Sequence, residues 1–193
     1  MTGRVRPGAG GGHETLRKEV ILELLAEAGY LALAFVLQAS VVGYLSVGEI
    51  KPDLILGALV YVSISKRPMH STVAGFLVGV VQDLSFGGWI GVNAFSKCLV
   101  AFLVSHASRS TFKERYWTQL VLLFSAVMFH DIVYFGFLYR GSVSHIGPAI
   151  LKVSLGSAVL TALVSPAYDF VIRRIFSLKG PISRESVAVP REQ

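Results

Sequence analysis

PDLILGALVYVSISKRPMHSTVAGFLVGVVQDLSF runs from Pro52 to Phe86. It holds two apolar segments, Pro52–Ser65 and Ser71–Phe86, divided by Lys66, Arg67 and His70. A helix rises about 1.5 Å per residue and needs about 20 apolar residues to cross a hydrocarbon core of about 30 Å. Both segments fall short of that. One reading makes them two crossings, in a thin region of bilayer or shielded by other helices. The other makes them a re-entrant hairpin, whose irregular backbone must be buried in protein. The hairpin gives no reason for Lys66, Arg67 and His70 at its tip, so two crossings are favoured. Pro52 and Asp53 suit the start of the first: proline lacks the N–H that a first turn leaves unpaired, and an acid there complements the helix dipole. A contact point for a partner is the alternative role for these two.

Four longer apolar segments flank this stretch: Leu22–Leu45, Gly91–Ser108, Tyr116–Tyr139 and Ile146–Phe170. The chain of 193 residues is 53% hydrophobic and 16% charged, against about 25% charged in soluble domains. Its mean hydropathy is +0.60. The expectation is an all-α integral membrane protein of six transmembrane helices, formed by residues 21–176. Basic residues set the orientation. With the N-terminus inside, Arg4, Arg6, Arg17, Lys18, Lys66, Arg67, Arg109, Lys113, Arg115, Arg173, Arg174, Lys179, Arg184 and Arg191 are cytoplasmic. Only Lys51 and Arg140 are outside, and Lys97 and Lys152 lie within spans. That asymmetry predicts both termini in the cytoplasm. It also explains the net charge of +6 without nucleic acid. Residues 1–20, glycine-rich and basic, read as a disordered cytoplasmic tail with no signal-peptide pattern. Residues 177–193 read as a second cytoplasmic tail.

Charges at bilayer depth are costly unless paired or wet. Asp83, Lys97, Asp131 and Lys152 fall about 5, 9, 12 and 9 Å from the outer ends of their spans at 1.5 Å per residue. Two acids and two bases at one level suggest a compensated cluster inside the bundle, with Gln82, Asn93 and His130 beside it. Independent snorkelling of Asp83 and the lysines to the interface is one alternative, and a substrate or ion path is the other. Gly75 and Gly79 form a GxxxG pair, and Ser154, Ala158 and Ala162 repeat the small-residue spacing; both read as packing seams.

Catalytic and metal-binding patterns are missing. His130 and Asp131 are neighbours on a helix, so they should point about 100° apart and pair poorly. No serine sits in a nucleophile elbow, and no His-Glu-x-x-His occurs. The glycines from Gly87 to Gly91 are not followed by a phosphate-loop lysine and hydroxyl. Cys98 is the single cysteine and reads as a small buried apolar residue. No catalytic residue, cofactor or metal is expected.

Three features together resemble a known family. They are Lys51-Pro52-Asp53-Leu54-Ile55-Leu56, then Gly75 to Leu84 with Gly79 and Gln82-Asp83, then Gly87 to Gly91 leading to Val92-Asn93-Ala94-Phe95. This order resembles the rod shape-determining protein MreD family, with Pro52, Asp53, Gly75, Gly79, Gln82, Asp83, Gly91 and Asn93 at its motif positions. Lys97 is not part of that pattern. The resemblance implies a non-enzymatic, multi-pass subunit of the rod complex, or elongasome, in the bacterial inner membrane. It implies binding to an MreC-like bitopic protein, and through it a link to MreB and to the transglycosylase and transpeptidase of peptidoglycan elongation. It also implies a fold similar to the membrane substrate-binding subunits of energy-coupling-factor transporters. A vitamin-binding transport subunit is therefore the alternative function.

Overall fold

The computed structural model describes residues 11–40, 42–45, 50–86, 89–110, 116–139, 147 and 150–176. Regular structure among them is helical, with no strand. Six helices carry the fold: α1 (Gly11–Ser40), α2 (Leu54–Ser65), α3 (Pro68–Phe86), α4 (Val92–Ser110), α5 (Tyr116–Leu138) and α6 (Leu155–Phe176). A helical turn, Val42–Leu45, follows α1, and a π turn, Ile150–Ser154, leads into α6. Among the described residues, three stretches are long and apolar enough to cross a membrane: Arg17–Ser40, Trp117–Leu138 and Lys152–Ile172.

The short helix α2 is the centre of the bundle. Every residue from Leu54 to Ile64 is buried, and α2 contacts each of the other five helices. A helix that is apolar on all sides must be surrounded, and this one is surrounded by protein. Its 12 residues make it about 18 Å long. Leu56, Leu59, Val60 and Ile64 pack with Val100 and Val104 of α4, Leu123 and Val127 of α5 and Ala158 of α6. Ala58 and Val62 pack with Tyr30, Leu31 and Ala34 of α1 and Tyr168 and Ile172 of α6. Tyr168 also donates its hydroxyl to the Tyr30 carbonyl at 2.7 Å, closing α6 on α1.

The most extensive helix contact joins α3 to α4. Gly75 and Gly79 make it possible. A Cβ on Gly75 would lie 2.6 Å from the Lys97 carbonyl oxygen, and one on Gly79 would lie 2.6 Å from the Ala94 nitrogen. Both obstacles are backbone, so neither can swing aside. The α6 seam is offset from the spacing in the sequence: Ser154, Ser157, Ala158, Thr161 and Ser165 are buried, while Ala162 is half-buried. Ser165 fits against Gly57 of α2.

Helix α1 departs from the expected disordered tail. It starts at Gly11, so half of residues 1–20 is helical. Glu14, Leu16, Arg17, Lys18 and Glu19 are helix formers directly before an apolar run, and the helix extends back through them. Residues 1–10 and the expected tail 177–193 lie outside the described residues, as does Ile146, the expected start of the last span. Helix α6 runs past Phe170 to Phe176 and carries Pro166 internally.

The glycine seam is directly testable. Gly79→Ala should lower stability by about 1–3 kcal/mol through overpacking. Gly136→Ala, where a Cβ meets nothing within 4 Å, should be neutral. Thermal unfolding of the purified variants in detergent checks the contrast.

Candidate functional site

Polar side chains gather at both ends of α2. At one end, Asp53 caps the helix, its Oδ1 accepting from the Leu56 N–H at 2.8 Å. Gln38 of α1 accepts from the Leu54 N–H at 2.8 Å and donates to the Pro52 carbonyl at 3.2 Å. Thr161 of α6 accepts from the Asp53 N–H at 2.9 Å. Ser157 donates to the Lys51 carbonyl at 2.6 Å. A helix start exposes backbone donors that need partners when buried. Here α1 and α6 supply them.

The other oxygen of Asp53, Oδ2, accepts from Lys97 Nζ at 2.7 Å. Lys97 is fully buried, at 0% exposure. Its ammonium also lies 3.5 Å from His130 Nε2 on α5, and His130 Nδ1 lies 3.0 Å from Asp131 Oδ1. With Lys97 donating to Nε2, the ring proton sits on Nδ1 and is donated to Asp131. One network thus runs Asp53–Lys97–His130–Asp131 and ties α2, α4 and α5. Adjacent His130 and Asp131 do interact, contrary to the divergence expected of neighbours on a helix: the two side chains meet at 3.0 Å.

Asp83 stands apart from this network. Its carboxylate caps the start of α4, accepting from the Gly91 N–H at 2.8 Å, the Ala94 N–H at 3.2 Å and the Asn93 N–H at 3.3 Å. Asn93 adds a side-chain donor, Nδ2, at 2.9 Å. Gly91 holds a φ of +98°, which a side chain would strain. Asp83 is therefore a staple across the α3–α4 hairpin. Lys152 is exposed in the π turn. Of the four residues expected to cluster, the structure joins Lys97 to Asp131 through His130, with Asp53 as the ion-pair partner. Asp83 and Lys152 lie elsewhere. Gln82 is half-buried beside Asp83.

The opposite end of α2 has its own node. Lys66 Nζ lies 3.2 Å from Glu23 Oε2 and 3.8 Å from Glu27 Oε2, and His70 Nδ1 lies 3.4 Å from Glu27 Oε1. Ser105 of α4 donates to the Lys66 carbonyl at 2.7 Å. Glu23 and Glu27 both lie on α1. Their spacing of four puts both on one face of α1, which was the available sign that one cation serves both.

The groups at the Asp53 end satisfy one another, whereas Glu27 Oε2 and His70 Nδ1 at the Lys66 end make no hydrogen bond. Both carboxylate oxygens of Asp53 and both of Asp83 are engaged. Among the described residues, no group of three or more His, Cys, Asp or Glu side chains is placed to hold a metal ion.

Comparison with protein families matches residues 18–177 to the rod shape-determining protein MreD. The chain belongs to the MreD family. Comparison with curated proteins and with solved structures found no match. The MreD family is one of shape-determining membrane proteins. Within this MreD chain the motif residues have structural work: Pro52 and Asp53 open α2, Gly75 and Gly79 admit α4, and Asp83, Gly91 and Asn93 close the hairpin.

The Asp53–Lys97 pair predicts a non-additive mutant cycle. Lys97→Met or Asp53→Asn alone leaves a buried charge without its partner and should cost about 3–5 kcal/mol. The double variant should cost clearly less than the sum. Exchanging charges between Asp83 and Lys97 should bring no rescue. Thermal unfolding of the purified proteins of both cycles measures the two outcomes.

Proposed function

We propose that this chain is a non-enzymatic subunit of the bacterial rod complex, crossing the inner membrane six times with both termini in the cytoplasm. It binds an MreC-like bitopic protein and couples cytoplasmic MreB to the transglycosylase and transpeptidase that elongate peptidoglycan. The observation that carries this reading is the family match over residues 18–177. The site supports it: the buried polar groups tie helices to one another and leave a rigid scaffold. Six crossings agree with six helices and with the basic asymmetry of the connections. The half-length α2 crosses as a helix solvated by protein, its Lys66 end cytoplasmic and its Asp53 end facing the periplasm. The vitamin-binding alternative finds no support in the family match.

Two experiments test the proposal. Co-expression with an MreC-like partner should yield a complex that survives detergent extraction, and depletion should turn rods into wide or round cells. No affinity for that partner, with cell width unchanged, would overturn the reading. Reporter fusions at the two ends should both report cytoplasm; opposite locations would remove the six-crossing topology.

A further inference from the structure

Helices α1 and α3 both pack on α2, and a groove of about 820 Å³ separates them. Two side-chain contacts reach across it. Toward one end Phe35 meets Phe86, with ring centroids 5.5 Å apart. Toward the other end His70 Nδ1 lies 3.4 Å from Glu27 Oε1. The aromatic contact is indifferent to pH. The second is not, because a histidine ring is charged only when protonated.

The balance of charge decides the state of this contact. Glu23 and Glu27 face the junction from α1, Lys66 from the end of α2 and His70 from α3. Arg67 beside Lys66 is exposed, as are His106 and Arg109 at the same end of α4. Two carboxylates thus face one permanent cation. Lys66 Nζ stands closer to Glu23, at 3.2 Å, than to Glu27, at 3.8 Å. Glu27 is also the more buried acid, its side chain 4% exposed against 39% for Glu23. A buried carboxylate short of counter-charge is costly. Protonated His70 completes the balance, with two acids against two cations. Neutral His70 does not, and its Nδ1 makes no hydrogen bond that would outlast the loss of charge. The His70 side chain is 35% exposed, so it exchanges protons with solvent.

We propose that the Glu27–His70 contact is a pH-sensitive clasp between α1 and α3. With His70 protonated, the ion pair holds the start of α3 against α1. With His70 neutral, Glu27 lacks counter-charge, and α1 parts from α3 at this end so that water reaches the carboxylate. Phe35 on Phe86, and Tyr30 and Ala34 in the core around α2, keep the rest of α1 in place. The movement is therefore confined to the part of α1 before Tyr30. The clasp goes beyond the scaffold reading, and takes from it only that the Lys66 end faces the cytoplasm.

Double electron–electron resonance reads the opening as a distance. Nitroxides are placed at Leu25→Cys of α1 and Phe76→Cys of α3, both exposed positions. The full-length chain also carries Cys98→Ala and is held in lipid nanodiscs. Between about pH 6 and about pH 8.5 the charged fraction of an ordinary histidine falls from about three quarters to about one hundredth. The expected result is a longer-distance population that is a minority at the lower pH and the majority at the higher. His70→Gln should show the longer distance at both pH values. His70→Arg, a permanent cation, should keep the shorter distance at both. Glu27→Gln should remove the pH response, and His106→Gln on α4 should leave it intact. A distance distribution that does not change with pH while Glu27 and His70 are both present overturns the proposal, and that comparison needs no clasp variant to fold. A response that survives His70→Gln, or an opening at high pH that persists in His70→Arg, overturns it as well. A chain that binds its bitopic partner but shows no pH response would lose the clasp and keep its proposed function.

Discussion

A helix of 12 residues is about 18 Å long, and a hydrocarbon core is about 30 Å thick. In the proposed six-crossing arrangement, that mismatch in α2 dictates the rest of the architecture. A helix so short cannot place both ends at the membrane surfaces, so its unpaired backbone groups need partners inside the protein. Gln38, Thr161 and Asp53 supply them at the start, and Ser105 accepts the duty at the Lys66 end. The charges that open and close α2 are then neutralised locally, Asp53 by Lys97 and Lys66 by Glu23 and Glu27. Helices α1, α4, α5 and α6 are each fixed to one or both of these nodes. Because lipid is as apolar as leucine, such polar ties and close packing hold the bundle where a hydrophobic driving force between helices is missing.

The hairpin of α3 and α4 follows a second constraint, close approach. Two glycines bring the backbones together, and the Asp83 carboxylate gathers three backbone donors at the start of α4. A glycine with positive φ turns the chain into it. The MreD motif positions thus coincide with places where the fold has little freedom. That fits a scaffold, whose job is to present a fixed shape to partners.

Much of this was legible in the sequence, because hydropathy and loop charge act through local composition. The extents of α2 to α5 follow the apolar segments within a few residues, and the GxxxG spacing foretold the seam at Gly75 and Gly79. The pairing of Lys97 was harder to read. In the sequence Asp53 reads as a complete local helix cap, which leaves Asp83 and Asp131 as the apparent counter-ions of Lys97. The overlooked sign was the shortness of α2 itself. If its Lys66 end lies near one surface, its Asp53 end must lie about 12 Å below the other, close to the depth of about 9 Å expected for Lys97. The helical start at Gly11 was hidden by glycines, whose weak propensity was overridden by the helix formers that follow.

The central claim is that α2 is solvated by protein along its whole length. Photolabelling of the membrane-embedded chain with a lipid-soluble diazirine, followed by peptide mapping, tests it most directly. No label is expected between Leu54 and Ile64, while the exposed faces of α5 and α6, at Val121, Ile132, Val159 and Leu163, should be labelled. Modification of α2 as strong as that of α5 would contradict it.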